Sequence, residues 1–420
     1  MDDERQWFVG VDWASETHHV CIVDARGIKV GERGFRHGGS GLAEMADWIL
    51  KLTGAPAEAI HVAIEVPHGP VVESLMERGF AVHAINPKQL DRFRDRLSPA
   101  GAKDDSRDAE VMGGALRTDP RCFRRLAAVD PVVVELREWS RIADDLGAER
   151  VRLVNRMREQ LWRYFPQMLE LSPDLGADWM LELWALVPTP AKAHRVRVDT
   201  LARLLKRHRI RRLGSEEIVA RLRTPAIAVA AGTTEAATAH IGAVVRRVRL
   251  VNRQIAEAHR QLDRLTERLA ADSSDQDDAP GQRGEQRDVT ILASLPGVGR
   301  IVLATLLAEA FDPLQRRDYH ALRCLSGVAP VTRRSGKSKI VLRRLAARGR
   351  LSNAVYHWAR VAVQHDPRSR AKYAALRQRG HGHARALRSV ADRLLAVACA
   401  MLESRSTFDP GHIAIRVAAP

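Results

Sequence analysis

Cysteine is scarce in this chain, and no stretch is long and apolar enough to cross a membrane. Cys21, Cys122, Cys324 and Cys399 lie far apart in sequence, which excludes a local zinc ribbon or Cys-x-x-Cys motif. They are expected to be reduced thiols, as in a reducing cytoplasm. No run of about 18 apolar residues occurs, and the charged start at residues 1–5 contains no apolar signal region. We therefore expect a soluble, cytoplasmic protein without a membrane span.

Acidic residues are too few to balance the basic ones. The 420 residues include 67 Lys or Arg and 51 Asp or Glu, for a net charge of +16 and a pI near 10.4. Hydrophobic residues make up 45%, which is enough to bury the cores of two or three domains. The charge favours a polyanionic partner, with nucleic acid as the leading candidate. A basic proteome background and a membrane-surface protein remain as alternatives.

The first 125 residues read as a mixed α/β domain. Apolar alternation and turn signals predict strands over residues 6–12, 19–24 and 28–35. From residue 40 onward, helical periodicity alternates with short apolar runs, as in a domain that packs helices on a sheet. The predicted fold class of residues 1–125 is therefore α/β.

Helices dominate the remainder. Residues 126–270 are predicted as a helical region with a coiled-coil character, because apolar residues recur every three or four positions over 241–269. This seam could pair within the chain or between two chains. Residues 271–288 are polar and contain Gly and Pro, which predicts a flexible linker. A mostly α-helical C-terminal domain is expected over residues 289–420.

Four carboxylates form the most informative pattern. Asp12 and Glu65 each end an apolar strand, and Asp105 and Asp108 are three residues apart in a helical segment, which places both on one face. Hard oxygen ligands from several elements can hold two Mg²⁺ ions for phosphodiester chemistry. Each residue alone could equally be a strand-end or helix-terminal carboxylate. The joint pattern is much more specific than any member.

These motifs, Val9-Gly10-Val11-Asp12, Ala63-Ile64-Glu65 and Lys103-Asp104-Asp105-Ser106-Arg107-Asp108-Ala109, resemble those of the DEDD transposases of the insertion-sequence 110 type, which are related to Piv DNA invertases. The resemblance implies a RuvC-like, ribonuclease-H fold for the first domain. It also implies that Asp12, Glu65, Asp105 and Asp108 are catalytic metal ligands for two Mg²⁺ ions.

The second domain carries signals for nucleic-acid contact. Leu295-Pro296-Gly297-Val298-Gly299 precedes an apolar helix and looks like a helix-hairpin-helix turn, in which Gly297 and Gly299 would approach a phosphate. An ordinary glycine-rich helix connection is the alternative. Residues 316–350 hold eleven Lys or Arg and one acid, a density that suits phosphate contact. The predicted contacts in this tract are Arg333, Arg334, Lys337, Lys339, Arg343 and Arg344.

Within the basic tract, residues 326–336 resemble the C-terminal transposase domain of the same family, whose Gly-x-x-Pro is followed by Ser-Gly. The resemblance maps the family's nucleophilic serine onto Ser335, with Ser326 and Ser338 as competitors. A serine hydroxyl needs activation, and nearby cations could stabilise a phosphate transition state. The family often shows Lys-x-Gly-Asn downstream, whereas this chain has only Gly349 between two arginines and a later Asn353.

The resemblance implies a transposase or site-specific recombinase of a mobile insertion sequence that acts on element ends and target DNA. It further implies a composite site from two domains, a structured bridge RNA as guide, and a homo-oligomer, either a dimer or a tetramer. Three rivals stay open. A junction nuclease of the same fold would not need Ser335, a sugar kinase would need glycine-rich phosphate loops that the first domain lacks, and a non-enzymatic coiled-coil nucleic-acid-binding protein would need no carboxylate.

Overall fold

Six strands form one mixed sheet near the start of the chain. The structure, a computed structural model, describes residues 6–97, 105–126, 130–271, 288–336 and 338–411. The chain divides into two units, residues 1–129 and 130–420. The strands of the first unit are β1 (Trp7–Asp12), β2 (Thr17–Val23), β3 (Lys29–Arg36), β4 (Ile60–Ile64), β5 (Ala81–Ala84) and β6 (Arg124–Arg125).

The sheet order is β3-β2-β1-β4-β5-β6. β1 pairs antiparallel with β2 and parallel with β4, β4 and β5 are parallel, and the two edge strands are antiparallel to their neighbours. The first unit also contains helices α1 (Gly39–Thr53), α2 (Pro70–Glu77), α3 (Pro87–Leu97) and α4 (Asp105–Thr118). The predicted strands agree with the observed ones within about two residues, the usual uncertainty of element ends.

Helices cover both faces of this sheet. On one face, Val9, Val11 and Val62 belong to a buried cluster that includes residues of α1 and α2. On the other face, Phe8 and Ala63 belong to a cluster that includes residues of α3 and α4. Because successive strand residues point to opposite faces, odd and even positions of β1 serve different cores.

The second unit is almost entirely helical. Its helices are α5 (Pro131–Tyr164), α6 (Asp178–Leu186), α7 (Pro190–Ala193), α8 (Val198–Arg207), α9 (Ser215–Leu222), α10 (Thr233–Ala271), α11 (Asp288–Ala293), α12 (Arg300–Gln315), α13 (Tyr319–Leu325), α14 (Gly349–His365), α15 (Pro367–Gln378) and α16 (His383–Ser404). Between α13 and α14 lies a hairpin of β7 (Val331–Ser335) and β8 (Ser338–Leu342). No helix in the described ranges is long and apolar enough to span a membrane.

The apolar seam of α10 is buried inside the chain. Val244, Val248 and Val251 share a cluster with α5, α6, α8 and α9, and the later seam residues Leu262 and Leu265 share one with α5, α11, α12, α14 and α16. Ion pairs Arg264–Glu135 and Arg247–Glu149 show that α5 and α10 run antiparallel. Of the two alternatives left by the sequence, the structure has the pairing within one chain.

Candidate active site and nucleic-acid interface

Asp12 and Glu65 lie at the carboxyl ends of two neighbouring parallel strands. β1 and β4 are paired up to Val11 and Ile64, so Asp12 and Glu65 occupy the next position in the same register. On β1, Phe8 faces the cluster formed with α3 and α4. Asp12 lies four residues after Phe8 on the same strand and therefore on the same face. On β4, Ala63 faces that cluster and Glu65 follows two residues later. Asp12, the last residue of β1, therefore belongs to the face covered by α4, and Glu65 follows directly after β4 at the same end of the sheet.

Gly10 allows α4 to lie directly on β1. A Cβ at Gly10 would lie 1.8 Å from the carbonyl oxygen of Ala109 and 2.8 Å from the amide nitrogen of Gly113. Gly113 in turn lies near the backbone of Phe8, so α4 runs antiparallel to β1. The N-terminal end of α4 is consequently directed toward Asp12, and this packing brings the helix turn that contains Asp108 from a distant segment to the same end of β1.

Asp108 is buried in the first turn of α4, with 4% of its surface exposed. Its Oδ1 is 3.2 Å from Nε of Arg94 on α3, and Arg94 also forms an ion pair with Asp91 at 3.0 Å. Asp105 is the first residue of α4, but its side chain lies outside the described part. Among the described residues, no three His, Cys, Asp or Glu side chains are grouped closely enough to hold a metal ion.

Strand pairing adds residues that sequence reasoning missed. His19 on β2 is the direct register partner of Asp12, and directly paired residues share a face. On the next strand Glu32 hydrogen-bonds Lys29 and Ser106, and these two bonds hold the pKa of the Glu32 carboxyl below its usual value. Ser106 lies in the first turn of α4. No spacing in the sequence links these residues, because only the antiparallel pairing of β1, β2 and β3 juxtaposes them.

Two histidines, one on β4 and one on β5, lie on the sheet face that α4 covers. His61 on β4 and His83 on β5 approach within 3.2 Å through Nδ1 and Nε2, and His61 stacks on Phe8. Burial, followed by the nearby charges of His61 and Arg125, lowers the pKa of His83 to about 4. Burial likewise lowers the pKa of His61. The His83 ring is therefore neutral at pH 7. His61 packs against Phe8 near the amino-terminal ends of β1 and β4, at the opposite end of these strands from Asp12 and Glu65.

Ser335 ends β7 at the tip of the hairpin in the second unit and is exposed. Gly336, in the turn, has φ +54°, the left-handed backbone that hairpin turns require. Ser338 is the direct cross-strand partner of Ser335 and is also exposed. The third candidate, Ser326, is buried and donates its hydroxyl to the carbonyl of Leu322 at 2.7 Å. Of the three serines, Ser335 and Ser338 are accessible.

The basic residues of the hairpin divide between its two faces. Arg333 lies two residues before Ser335 and shares its face, whereas Arg334 pairs with Lys339 on the opposite face. Lys337 lies outside the described residues. Arg343, just after β8, is exposed and Arg344 is partly buried. Val331, Thr332, Ile340 and Val341, which flank the Ser-Gly turn, are the β-branched signal by which this hairpin could have been predicted.

The two predicted glycines have different surroundings. Gly297 has φ +83°, and a Cβ there would lie 2.8 Å from the amide nitrogen of Ala362 on α14. Gly297 therefore packs closely against α14 of the same chain. The indole N–H of Trp358, also on α14, donates a hydrogen bond to the carbonyl of Pro296 at 2.9 Å. Gly299 is exposed before α12 with no atoms near its Cβ position. Phosphate contact at both glycines stays a prediction.

Two family descriptions match this chain. The family "Transposase", of the DEDD type of IS110, matches residues 9–166. That range contains most of β1, the strands β2 to β6 and all of α5. The family "Transposase IS116/IS110/IS902 family" matches residues 289–374, which includes the hairpin. The two matches therefore cover both the carboxylate edge and Ser335.

Two similar proteins carry the word transposase in their names. The first, y4uE of Sinorhizobium fredii, is 71% identical over 213 residues, which are 50% of this chain and 59% of that protein. The second, the mini-circle protein for IS117 of Streptomyces coelicolor, is 33% identical over 414 residues, or 97% of this chain and 96% of its own length. An IS110 protein of 43.6 kDa from Streptomyces coelicolor is 26% identical over 96% of this chain and 95% of its own length.

Proposed function

Because the chain belongs to the IS116/IS110/IS902 transposase family, we propose that it cuts and rejoins DNA strands to move an insertion sequence. One observation carries the catalytic part of this proposal. Asp12 ends β1 on the face that α4 covers, Glu65 follows the adjacent parallel strand β4, and the close packing of α4 on Gly10 directs its N-terminal turn to the same edge.

The sheet order supports a ribonuclease-H, RuvC-like fold for the first unit. Three antiparallel strands, β3-β2-β1, continue into the parallel strands β4 and β5. In this arrangement the first strand lies at the centre of the sheet, so its terminal carboxylate meets residues from both neighbours. The fold alone does not define the reaction, so the proposal depends on the residues at this edge.

The donor set at the edge fits Mg²⁺. Asp12, Glu65, Asp105 and Asp108 offer only carboxylate oxygens, the ligands that hard divalent cations prefer. When bound there, two ions supply charge stabilisation at the attacking and leaving oxygens of a phosphodiester. Asp108 is held by Arg94 at 3.2 Å, so metal binding at Asp108 would replace this ion pair.

Ser335 is proposed as the nucleophile. Its Oγ would attack a phosphorus atom, forming an O–P bond while the bond to the leaving oxygen breaks and the hydroxyl proton passes to that oxygen. A strand-end hydroxyl would later reverse the exchange, so the phosphodiester energy is conserved without a nucleotide cofactor. Arg333, on the same face of the hairpin, would stabilise the charge on the phosphate.

The proposed partners are DNA, a guide RNA and further copies of the chain. The net charge of +16 supports a polyanion but does not separate DNA from RNA. The bridge RNA is part of the proposal because of the family resemblance of the DEDD and Ser-Gly motifs. Because the α10 seam is used within the chain, a homo-oligomer would need another surface.

The experiment is an excision and junction assay in cells. A plasmid carries the whole element with its flanking non-coding DNA, and sequencing counts recombinant junctions for wild type, Asp12→Ala and Ser335→Ala. We expect both variants to lose junctions while staying soluble and binding DNA. Ser338→Ala is the matched control for the hairpin, and it should keep most of the junctions.

The rival functions predict other outcomes. If Asp12→Ala alone abolishes junctions, the protein is a carboxylate nuclease without serine chemistry. If neither variant matters, the non-enzymatic nucleic-acid-binding function replaces the transposase. Deletion of the flanking non-coding DNA should also abolish junctions, and an RNA supplied from a second plasmid should restore them if a guide RNA is required.

A further inference from the structure

A cavity of about 370 Å³ lies at the base of the hairpin, wholly within the second unit. Its walls come from the α13–β7 connection, the β8–α14 connection, α14 and α16. The lining side chains that matter here are Arg343, Arg344, Ser352, Asn353, Tyr356 and Arg388. Its size falls within the range of about 300–1,000 Å³ that small-molecule sites occupy.

The cavity concentrates positive charge without a counter-charge. Among the described residues, no carboxylate lies within ion-pair distance of Arg343, Arg344 or Arg388. A neighbouring arginine behaves differently, since Arg350 pairs with Asp144 at 3.2 Å. The three arginines that line the cavity therefore differ from Arg350 in having no acidic partner among the described residues, which favours an anionic partner from outside the chain.

Two of these arginines lie in environments that disfavour an unpaired charge. The Nε of Arg344 is buried without a hydrogen-bond partner, and an unsatisfied buried donor is destabilising. Burial lowers the pKa of Arg388, and repulsion from Arg343 and Arg385 lowers it further. A bound anion would satisfy the Nε donor and offset the repulsion.

The positive end of a long helix faces the same cavity. α14 has 17 residues, its N-cap position provides no side-chain hydrogen bond, and Gly349 and Ser352 from its first turn line the cavity. Free backbone N–H groups and the helix dipole favour an anion at such a terminus. This adds a directional contribution to the charge of the arginines.

Tyr356 gives the cavity an aromatic wall, one turn further along α14. We propose that the cavity binds one unpaired nucleotide of a nucleic-acid strand. Arg343, Arg344 and Arg388 bind its phosphate together with the N-terminus of α14, and the base stacks on Tyr356. Aromatic rings bind unpaired bases in this way with little sequence preference.

The position of the cavity relates it to Ser335. The hairpin from Val331 to Ser335 spans about 14 Å at the usual rise of a strand, and the cavity lies at its base. The cavity would therefore hold a nucleotide a few positions away from the phosphate presented to Ser335. This inference depends on the proposed function only in requiring a nucleic-acid substrate.

Fluorescence anisotropy tests the proposal with the full chain. The probes are labelled single-stranded DNA and RNA of one sequence, about 16 nucleotides long, and the matching DNA duplex. We expect Arg388→Gln and Tyr356→Leu each to weaken single-strand binding about tenfold and duplex binding much less. If DNA and RNA respond differently, the responsive polymer identifies the source of the nucleotide.

Arg393→Gln is the matched control, because Arg393 is an exposed arginine of the same helix that does not line the cavity. It removes the same charge and should weaken binding less than about threefold. Equal losses for Arg388→Gln and Arg393→Gln would overturn the proposal, since charge alone would then explain binding. Asn353→Ala, at an exposed site, tests the cavity without a change of charge if Arg388→Gln does not fold.

Competition distinguishes a nucleotide from phosphate alone. Thymidine monophosphate should displace the probe from wild type at a lower concentration than inorganic phosphate, and Arg388→Gln should lose this difference. Equal displacement by both competitors, or full binding by Tyr356→Leu, would overturn the nucleotide assignment. Binding is measured without strand cleavage, so a failure of the serine mechanism would leave this result unaffected, and the two failures can be told apart.

Discussion

The carboxylate edge of the first unit and the hairpin of the second are built in opposite ways. Asp12 ends a strand whose inner residues are completely buried, and it is positioned by a sheet and a helix packed against each other. Ser335 ends a strand in which every residue after Val331 is exposed. A two-stranded ribbon is only marginally stable by itself. We therefore expect the carboxylate edge to be rigid before substrate arrives and the exposed hairpin to adapt to what it binds.

Loss of a carboxylate at the rigid edge should have the largest effect. Glu65→Gln should lower junction formation at least a hundredfold, because an amide is a poorer metal ligand and carries no charge. Asp47→Asn on α1, whose carboxylate pairs with Arg78 at the surface, is the control and should change activity less than about twofold. Equal loss of junction formation in both variants would show that removing any carboxylate lowers activity, and that Glu65 has no special role.

We expect the covalent step to take place at a single atom of the hairpin, the Oγ of Ser335. Wild-type protein incubated with labelled DNA and Mg²⁺ should give a protein–DNA adduct that survives denaturation, and peptide mapping should place it on Ser335. Ser335→Ala should abolish the adduct and Ser338→Ala should retain it, although both serines share one face of the hairpin. An adduct that maps to Ser338 would reverse the assignment.

Thermal stability should separate the two regions further. Gly10→Ala should cost about 1–3 kcal/mol or more, because the new methyl group would meet the Ala109 carbonyl at 1.8 Å. Gly114 lies on α4, and a Cβ there would meet no atom within 4 Å. Gly114→Ala should therefore stabilise the folded protein by up to about 1 kcal/mol through helix propensity. Denaturant unfolding measures both values, and a stable Gly10→Ala variant would show that α4 does not pack as described.

The smallest effect concerns acid stability of the sheet. The pKa of His83 is about 4 in the folded chain and 6.5 when unperturbed. The unfolded chain therefore binds more protons between these values, and stability falls as pH decreases from 6.5 to 4. His83→Gln should flatten this slope in melting curves recorded against pH. An unchanged slope would assign the acid sensitivity to other groups.

Local patterns in the sequence predicted much of the carboxylate edge. Alternating apolar residues predicted β1, a short apolar run predicted β4, and a helical conformation was expected for the motif over residues 103–109. The same reasoning missed the hairpin at Ser335, because a dense run of basic residues obscured the β-branched positions that flank its turn. Local periodicity reports which residues are buried, and the hairpin buries almost none.

The sequence by itself determined the family and the mixed α/β character of the first unit, and it predicted which residues would bear the chemistry. Only the tertiary structure decided that α4 lies on Gly10, that His19 stands opposite Asp12 and that the α10 seam packs against α5 in the same chain. It alone brought Arg344 and Arg388 to one cavity. The physical reason is that motifs are short-range, whereas register, helix docking and cavity walls arise from contacts between residues far apart in the chain, which no local pattern records.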